Sequence, residues 1–380
     1  MYRAETGLLR ARGVEVVTYE KYNDDIADDS NKLKLALNTI WSNNSYNDLK
    51  TLLKKERPDV AHFHNIWYQI SPSGYYACGD AGVPVVQTLH NFRICCSNGL
   101  LLRNGEICEE CIGKMPWRSI KYGCYRGSRI YSIPVALAEA IHKFKETWSN
   151  RIDAYVALTE FGKQKFIECG LPEEKIFVKP NFLDNPPDPD YSIGDCAVFL
   201  GRLSREKGAD ILLNAFTILR SKLHISLPLK IAGDGPLRKH LENRVQTEGI
   251  AAIEFLGKRT FSECVQILVK AKFIIMPAVC YENFPMVIRE SFSCGKPVIA
   301  SDLGAMAAIV EDGKTGLLFE PGNPEDLAAK MQWMLENEDA CIQMGRNART
   351  EFEAKYTAEK NYDMLMHIYQ KAIENSNRGQ

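Results

Sequence analysis

No stretch of this 380-residue chain reaches the roughly 18 consecutive apolar residues that a membrane-spanning helix needs. No leader of the signal-peptide kind is read at its start. Neither sign of charge dominates: the formal net charge is −1, so no global attraction to nucleic acid is implied. There is no internal repeat and no low-complexity segment. An opening strand with a glycine-rich turn, the usual start of an α/β domain, is also missing. Residues 2–12 read instead as a helix stopped at Gly13. What remains is a soluble globular profile, 45% hydrophobic and 25% charged, with length for two ordinary domains. Cysteine is not scarce: there are twelve. Most, such as Cys196 and Cys294, stand singly in apolar segments and read as small buried hydrophobes of a reducing, cytoplasmic compartment.

Short apolar runs at 14–19, 60–63, 85–89 and 154–157, separated by helical patterns, point to a parallel sheet covered on both faces. Residues 184–190 (Asp-Asn-Pro-Pro-Asp-Pro-Asp) forbid regular structure and suit a hinge. Alternation then restarts. Strands are expected at 197–200, 229–232, 253–256, 273–276 and 297–300, with helices at 209–221, 237–248, 261–270 and 285–294. Segments 324–336 and 357–374 read as closing helices.

The most informative stretch runs from Tyr281 to Glu290. Glu282 and Glu290 stand eight positions apart, and Pro285 suits the first turn of a helix, where its missing N–H costs nothing. At ~1.5 Å rise per residue the carboxylates lie on the order of 8–10 Å apart. That is too far for the two acids of a retaining glycosidase, at ~5 Å, and suits two hydroxyl-bearing rings of one extended ligand. Between them the helix N-terminus favours a phosphate.

Gly201-Arg202-Leu203-Ser204-Arg205-Glu206-Lys207-Gly208 follows a strand, where parallel sheets bind ligands. Arg202 offers a fork and Lys207 a point charge to a diphosphate; the bland alternative is a solvated basic turn. Ala232-Gly233-Asp234-Gly235-Pro236 permits close backbone approach to a ligand, though by itself it reads first as an ordinary strand-to-helix turn. Phe255-Leu256-Gly257-Lys258 ends a third strand at the same edge, where its backbone could read a nucleobase. Earlier in the chain, His62 and His64 fall on one side of a strand, and His64, Asn65 and His90 at strand ends.

Cys96, Cys108, Cys111 and Cys124, spaced Cys-x11-Cys-x2-Cys-x12-Cys, could supply four thiolates to a structural zinc. Free or disulfide-linked cysteines are the competing reading, and Cys95 a competing ligand. Residues 112–130 carry Lys114, Arg118, Lys121, Arg126 and Arg129, no acid, and interleaved Met115, Trp117, Tyr122 and Tyr125. That suits an acceptor or membrane-surface site, or a plain solvated loop face.

Taken together, Gly201-Arg202-Leu203 with Lys207-Gly208, Ala232-Gly233-Asp234-Gly235-Pro236, Phe255-Leu256-Gly257, the Glu282-x7-Glu290 pair, Gly295-Lys296-Pro297-Val298 and Gly313-Lys314-Thr315-Gly316-Leu317-Leu318 resemble the retaining glycosyltransferases of family 4. The first half resembles a subgroup with a Cys-rich insertion more loosely, through Pro58-Asp59-Val60-Ala61-His62-Phe63-His64-Asn65 and Thr88-Leu89-His90-Asn91. The resemblance implies the GT-B fold: two Rossmann-like, doubly wound α/β domains facing across a cleft. It places an acceptor-side domain at 1–183 with the insertion at 92–128, a nucleotide-sugar-binding domain at 184–356, and a closing helix at 357–380 that packs back on the first. The first strand of the N-terminal domain is absent, which raises the expectation of ~15–25 further residues upstream or of an impaired enzyme.

The resemblance also implies roles. Arg202 and Lys207 bind the donor diphosphate, Glu282 a sugar hydroxyl and Glu290 the ribose. Gly201, Gly233, Gly257, Lys258 and the backbone of Phe284, Pro285, Met286 and Val287 complete the donor site, and His90 lies near the sugar. His90, Glu282, Arg202 and Lys207 form the expected catalytic set. No cofactor is required for catalysis, since the cations replace a metal and no Asp-x-Asp motif is placed to hold one. The implied partners are a nucleotide diphosphate sugar and a carbohydrate or lipid-linked acceptor, with peripheral contact at the inner face of a membrane and no nucleic acid. A nucleotide-sugar 2-epimerase on the same fold, or a non-catalytic nucleotide-sugar-binding protein, are the alternatives.

Overall fold

The computed structural model describes residues 1–22, 32–221 and 227–378. Two compact units divide the chain. Met1–Arg103, Cys108–Pro180 and Asn361–Gln380 make the first; Asn104–Ile107 and Asn181–Lys360 make the second.

The first unit is built on a four-stranded parallel sheet in the order β1 (Ala61–Phe63), β2 (Val85–Thr88), β3 (Ala154–Ala157) and β4 (Ile176–Val178). Strands β2 and β3 are buried along their whole length, as strands covered on both faces must be. The register sets His62 opposite Val86 and Phe63 opposite Gln87. Residues 14–19, expected as a strand, join no ladder. Their alternating pattern suits a strand, but a strand is defined by a hydrogen-bonded neighbour, and the described sheet ends at β1. A strand the sequence reading did not anticipate, β4, closes the other edge.

The second unit carries six parallel strands: β5 (Cys196–Leu200), β6 (Leu229–Ala232), β7 (Ile253–Gly257), β8 (Ala271–Met276), β9 (Val298–Ser301) and β10 (Gly316–Phe319). Their order is β10-β9-β8-β5-β6-β7. The chain therefore winds outward from β5 on one side, then returns to lay β8 on its other side. Phe199, Phe216, Phe273, Ile299, Phe319 and Met331 fill the core between sheet and helices. Strand order reverses between β5 and β8, so a crevice opens beyond their carboxyl ends.

Candidate donor-binding site of the second unit

Each strand end at the reversal is tied to its neighbour through backbone alone. The Gly201 N–H donates to the Ala232 carbonyl at 3.0 Å, Leu203 to Asp234 at 3.0 Å, and Gly233 to Gly257 at 2.8 Å. Across the switch point, the Val279 N–H donates to the Glu206 carbonyl at 3.0 Å. The turns after β5, β6, β7 and β8 thus form one rigid rim. Gly233 is required for it: at φ +145° its position is open to glycine, and a Cβ there would stand 1.8 Å from the Gly201 oxygen.

This rim carries the charged side chains. Lys207 ends a short 3-10 turn, Arg205–Lys207, after β5. Its ammonium donates to the Glu282 carboxylate, which comes from the loop after β8. The two side chains are 29% and 14% exposed. Burial works against the Lys207 charge, but Glu282 outweighs it and holds the ammonium's pKa above its ordinary value. Arg202 and Lys258 are exposed on the same rim.

The helix following Glu282 spans Met286–Ser293. Pro285 is its N-cap, in extended backbone at ψ 95°, rather than its first helical residue as expected. Its side chain cannot accept from the first turn, so the leading N–H groups lack a side-chain cap. Phe284 is buried, and Met286 and Val287 are half-buried. Glu290 lies one turn further in, where it accepts from Arg289 Nη2 at 3.1 Å. Arg289, 3% exposed, also donates to the Phe182 carbonyl. Burial raises the Glu290 pKa, against the pull of Arg289. Among the expected site residues, the fold brings Lys207 and Glu282 into contact and sets Glu290 on the helix that Glu282 leads into.

His90 belongs to the first unit and sits in a different constellation. Its Nε2 lies 2.8 Å from His64 Nδ1, and burial pushes its pKa down to about 3. Beneath it, Glu5, unnoticed in the sequence, is 3% exposed. Glu5 pairs with the equally buried Lys179 at 2.8 Å and with His62 at 3.3 Å. His62 also meets Thr88 Oγ1 at 2.7 Å and the Tyr369 hydroxyl at 2.9 Å. Glu5, His62 and His64 hold three ligand atoms within 4.8 Å. The Lys179 ammonium already neutralises Glu5, so a cation added there would be left without a counter-charge. No signal in the sequence marks Glu5 or Lys179, which are 174 positions apart.

In the insertion, Cys96, Cys108, Cys111 and Cys124 line one small cavity together with Arg103, Glu110 and Arg118. Among the described residues, only the Glu5 trio brings three ligand atoms within 4.8 Å of one another, so the four sulfurs surround the cavity without closing on a point. Cys95 is removed from the competition by a disulfide to Cys169. Cys169, which the sequence reading did not single out, is its partner.

Residues 7–185 match the family Glycosyltransferase Family 4, and residues 194–351 the family Glycosyl transferases group 1. The uncharacterized glycosyltransferase MJ1178 of Methanocaldococcus jannaschii is 27% identical over 374 residues, 97% of this chain and 93% of its own length. Sucrose-phosphate synthase of Thermosynechococcus elongatus has a similar fold over 97% of this chain and 92% of its own, with a TM-score of 0.66 at 17% identity. HepE of Anabaena, solved in complex with UDP, is similar over 85% and 80%, with a TM-score of 0.62 at 19% identity. At these identities the structural likeness speaks for the fold. With the Glycosyltransferase Family 4 pattern in the first half and the Glycosyl transferases group 1 pattern in the second, meeting near the boundary of two parallel-sheet units, the chain is a hexosyltransferase-type glycosyltransferase with the two Rossmann-like domains of the GT-B fold.

Proposed function

We propose that the enzyme moves a hexose from a nucleoside diphosphate sugar to a hydroxyl acceptor with retention of anomeric configuration. The observation that carries this reading is the Lys207–Glu282 pair at the switch point of the second sheet. A diphosphate entering the crevice competes for Lys207, and its displacement of Glu282 frees that carboxylate to accept from sugar hydroxyls. Arg202 supplies a second cation. The uncapped turn at Met286 faces the developing anion with fixed dipoles, and Glu290 accepts from the ribose. UDP, bound by HepE, is the first nucleotide to test.

In the reaction the bond between the anomeric carbon and the diphosphate oxygen breaks. The acceptor oxygen bonds to the same face of that carbon, and its proton passes to the leaving phosphate. Lys207 and Arg202 stabilise the charge on the leaving group, which is preorganised electrostatics rather than general-base chemistry. We read the acceptor as a surface polysaccharide or a lipid-linked oligosaccharide.

A Lys207→Ala chain should lose roughly 10²–10³ in kcat/KM for nucleotide release while keeping a cooperative melt and its circular dichroism spectrum. Full activity in that variant would refute the assignment. A thermal-shift panel of nucleotide sugars names the donor, because ligand binding stabilises the folded state.

The four cysteines around the insertion's cavity we assign to a structural zinc, which Cys96, Cys108, Cys111 and Cys124 would hold as thiolates. The metal would tie a segment with few apolar contacts and take no part in transfer. Metal analysis of protein purified without chelator should find about one zinc per chain, and Cys108→Ser/Cys111→Ser should lose it. Thiol counting that finds these four joined as two disulfides would exclude the metal.

A further inference from the structure

The helix Arg129–Phe144 is apolar on both sides. Its inner face, through Val135, Ala136, Ala138 and Ala140, is buried. Ile130, Ile133, Leu137 and Phe144 recur at the spacing of one helical stripe, and that stripe points outward. They are 76%, 41%, 37% and 82% exposed. A surface helix ordinarily turns polar residues to water, so this face is unexplained by the packing of the first unit. The helix Trp117–Tyr122 packs beside it and adds two more outward rings, Trp117 at 50% and Tyr122 at 43% exposure.

The charge along this face is predominantly positive, with Glu109 and Glu110 just before it and the exposed Glu146 just past its end. From Cys111 to Lys145 the chain carries seven Lys and Arg and a single acid, Glu139, which is 4% exposed and faces inward to Ser97. Arg118 is occupied by Glu110 at 2.6 Å. Arg126 and Arg129 are exposed beside the start of the stripe, and Lys145 beyond its end. The Lys143 ammonium reaches the Lys114 carbonyl at 3.2 Å, joining the far end of the helix to the insertion.

We infer that this face is a membrane-docking surface, in which Ile130, Ile133, Leu137, Phe144 and Trp117 enter the headgroup region of an anionic bilayer while the flanking Arg and Lys meet its phosphates. Exposed apolar residues rimmed by basic ones are what such an interface selects. A second copy of this chain fits poorly, because a two-fold contact would set the patch against itself, basic residue to basic residue. Among the described residues no helix is long and apolar enough to cross a membrane, so attachment of this kind is reversible. The inference goes beyond the transferase reading and does not depend on it.

Vesicle co-sedimentation tests it. The full chain should bind phosphatidylglycerol/phosphatidylcholine vesicles at least tenfold more tightly than phosphatidylcholine alone, and lose most of that preference at 0.5 M salt. Ile130→Ser/Phe144→Ser and Arg126→Gln/Arg129→Gln, all at exposed positions, should each weaken binding at least fivefold without lowering the melting temperature. Lys207→Ala should bind as the parent does, so a failure of docking is separable from a failure of catalysis. Equal binding to both vesicles, or unchanged binding by both double variants, would overturn the inference. A dimer in light scattering that the same substitutions dissolve would overturn it too, in favour of a second copy.

Discussion

His62 and His90 are two imidazoles of the first unit packed largely away from water. Burial pushes both imidazoles down to about 3, so both are neutral in the fold at any ordinary pH. In the unfolded chain they take protons near pH 6.5. Each is therefore a group with a depressed folded pKa. Its contribution to stability is complete above pH 6.5 and is lost as pH falls from there toward 3. Glu5 works the other way, favouring an imidazolium at His62 and His90, and Lys179 blunts that pull without cancelling it, so burial remains the cause of the depression. Urea unfolding should show stability falling by roughly 2–4 kcal/mol between pH 7 and pH 5, and His90→Asn should remove about half of that slope. A flat profile over this range would mean that the histidines are solvated in solution.

Most elements of the second unit were legible in the sequence because their strand-turn-helix junctions carry their own signals; strand Gly316–Phe319 and helix Gly304–Ile309 were not anticipated. Helix 209–221 and strand 229–232 stand where the pattern puts them. The Gly-Arg and Gly-Asp-Gly turns fall on the rim because parallel strands force their carboxyl ends to one edge. Helix Glu338–Lys355 was missed for a physical reason. Its periodic pattern is weak and interrupted by Gly345, a costly residue within a helix. A Cβ at Gly345 would lie 2.2 Å from the Gly295 carbonyl oxygen, so the glycine serves packing rather than propensity. In the first unit the decisive contacts join distant positions, Glu5 to Lys179, His62 to Tyr369 and Cys95 to Cys169. No local window shows them. The rim itself can be tested at this scale. Gly233→Ala should destabilise the protein by on the order of 2–4 kcal/mol, because the Gly201 backbone must move away to admit the methyl group. Nucleotide affinity should fall with it, read by denaturant unfolding and by thermal shift. A neutral Gly233→Ala would show that the rim yields easily.

At the scale of the whole molecule, each unit has its own sheet and its own buried core, and the residues proposed above to hold the donor all come from the second unit. They lie in four turns distant in sequence: the segments after β5, β6 and β7, and the run from Glu282 into the helix Met286–Ser293. Nucleotide binding should therefore slow amide exchange in a pattern that sequence proximity cannot mimic. With UDP at about 100 times its dissociation constant, stabilisation of the bound state reaches about 2.7 kcal/mol. Protection should appear together at 201–208, 233–237, 257–258 and 282–290, since the backbone bonds that stitch these turns order them as one body. The exposed helix Arg129–Phe144 should be unaffected by nucleotide and protected by anionic vesicles instead. Hydrogen exchange read by mass spectrometry distinguishes the two patterns in one protein. Protection confined to a single one of the four turns would leave a nucleotide contact there, and would break the claim that the rim acts as one preorganised site.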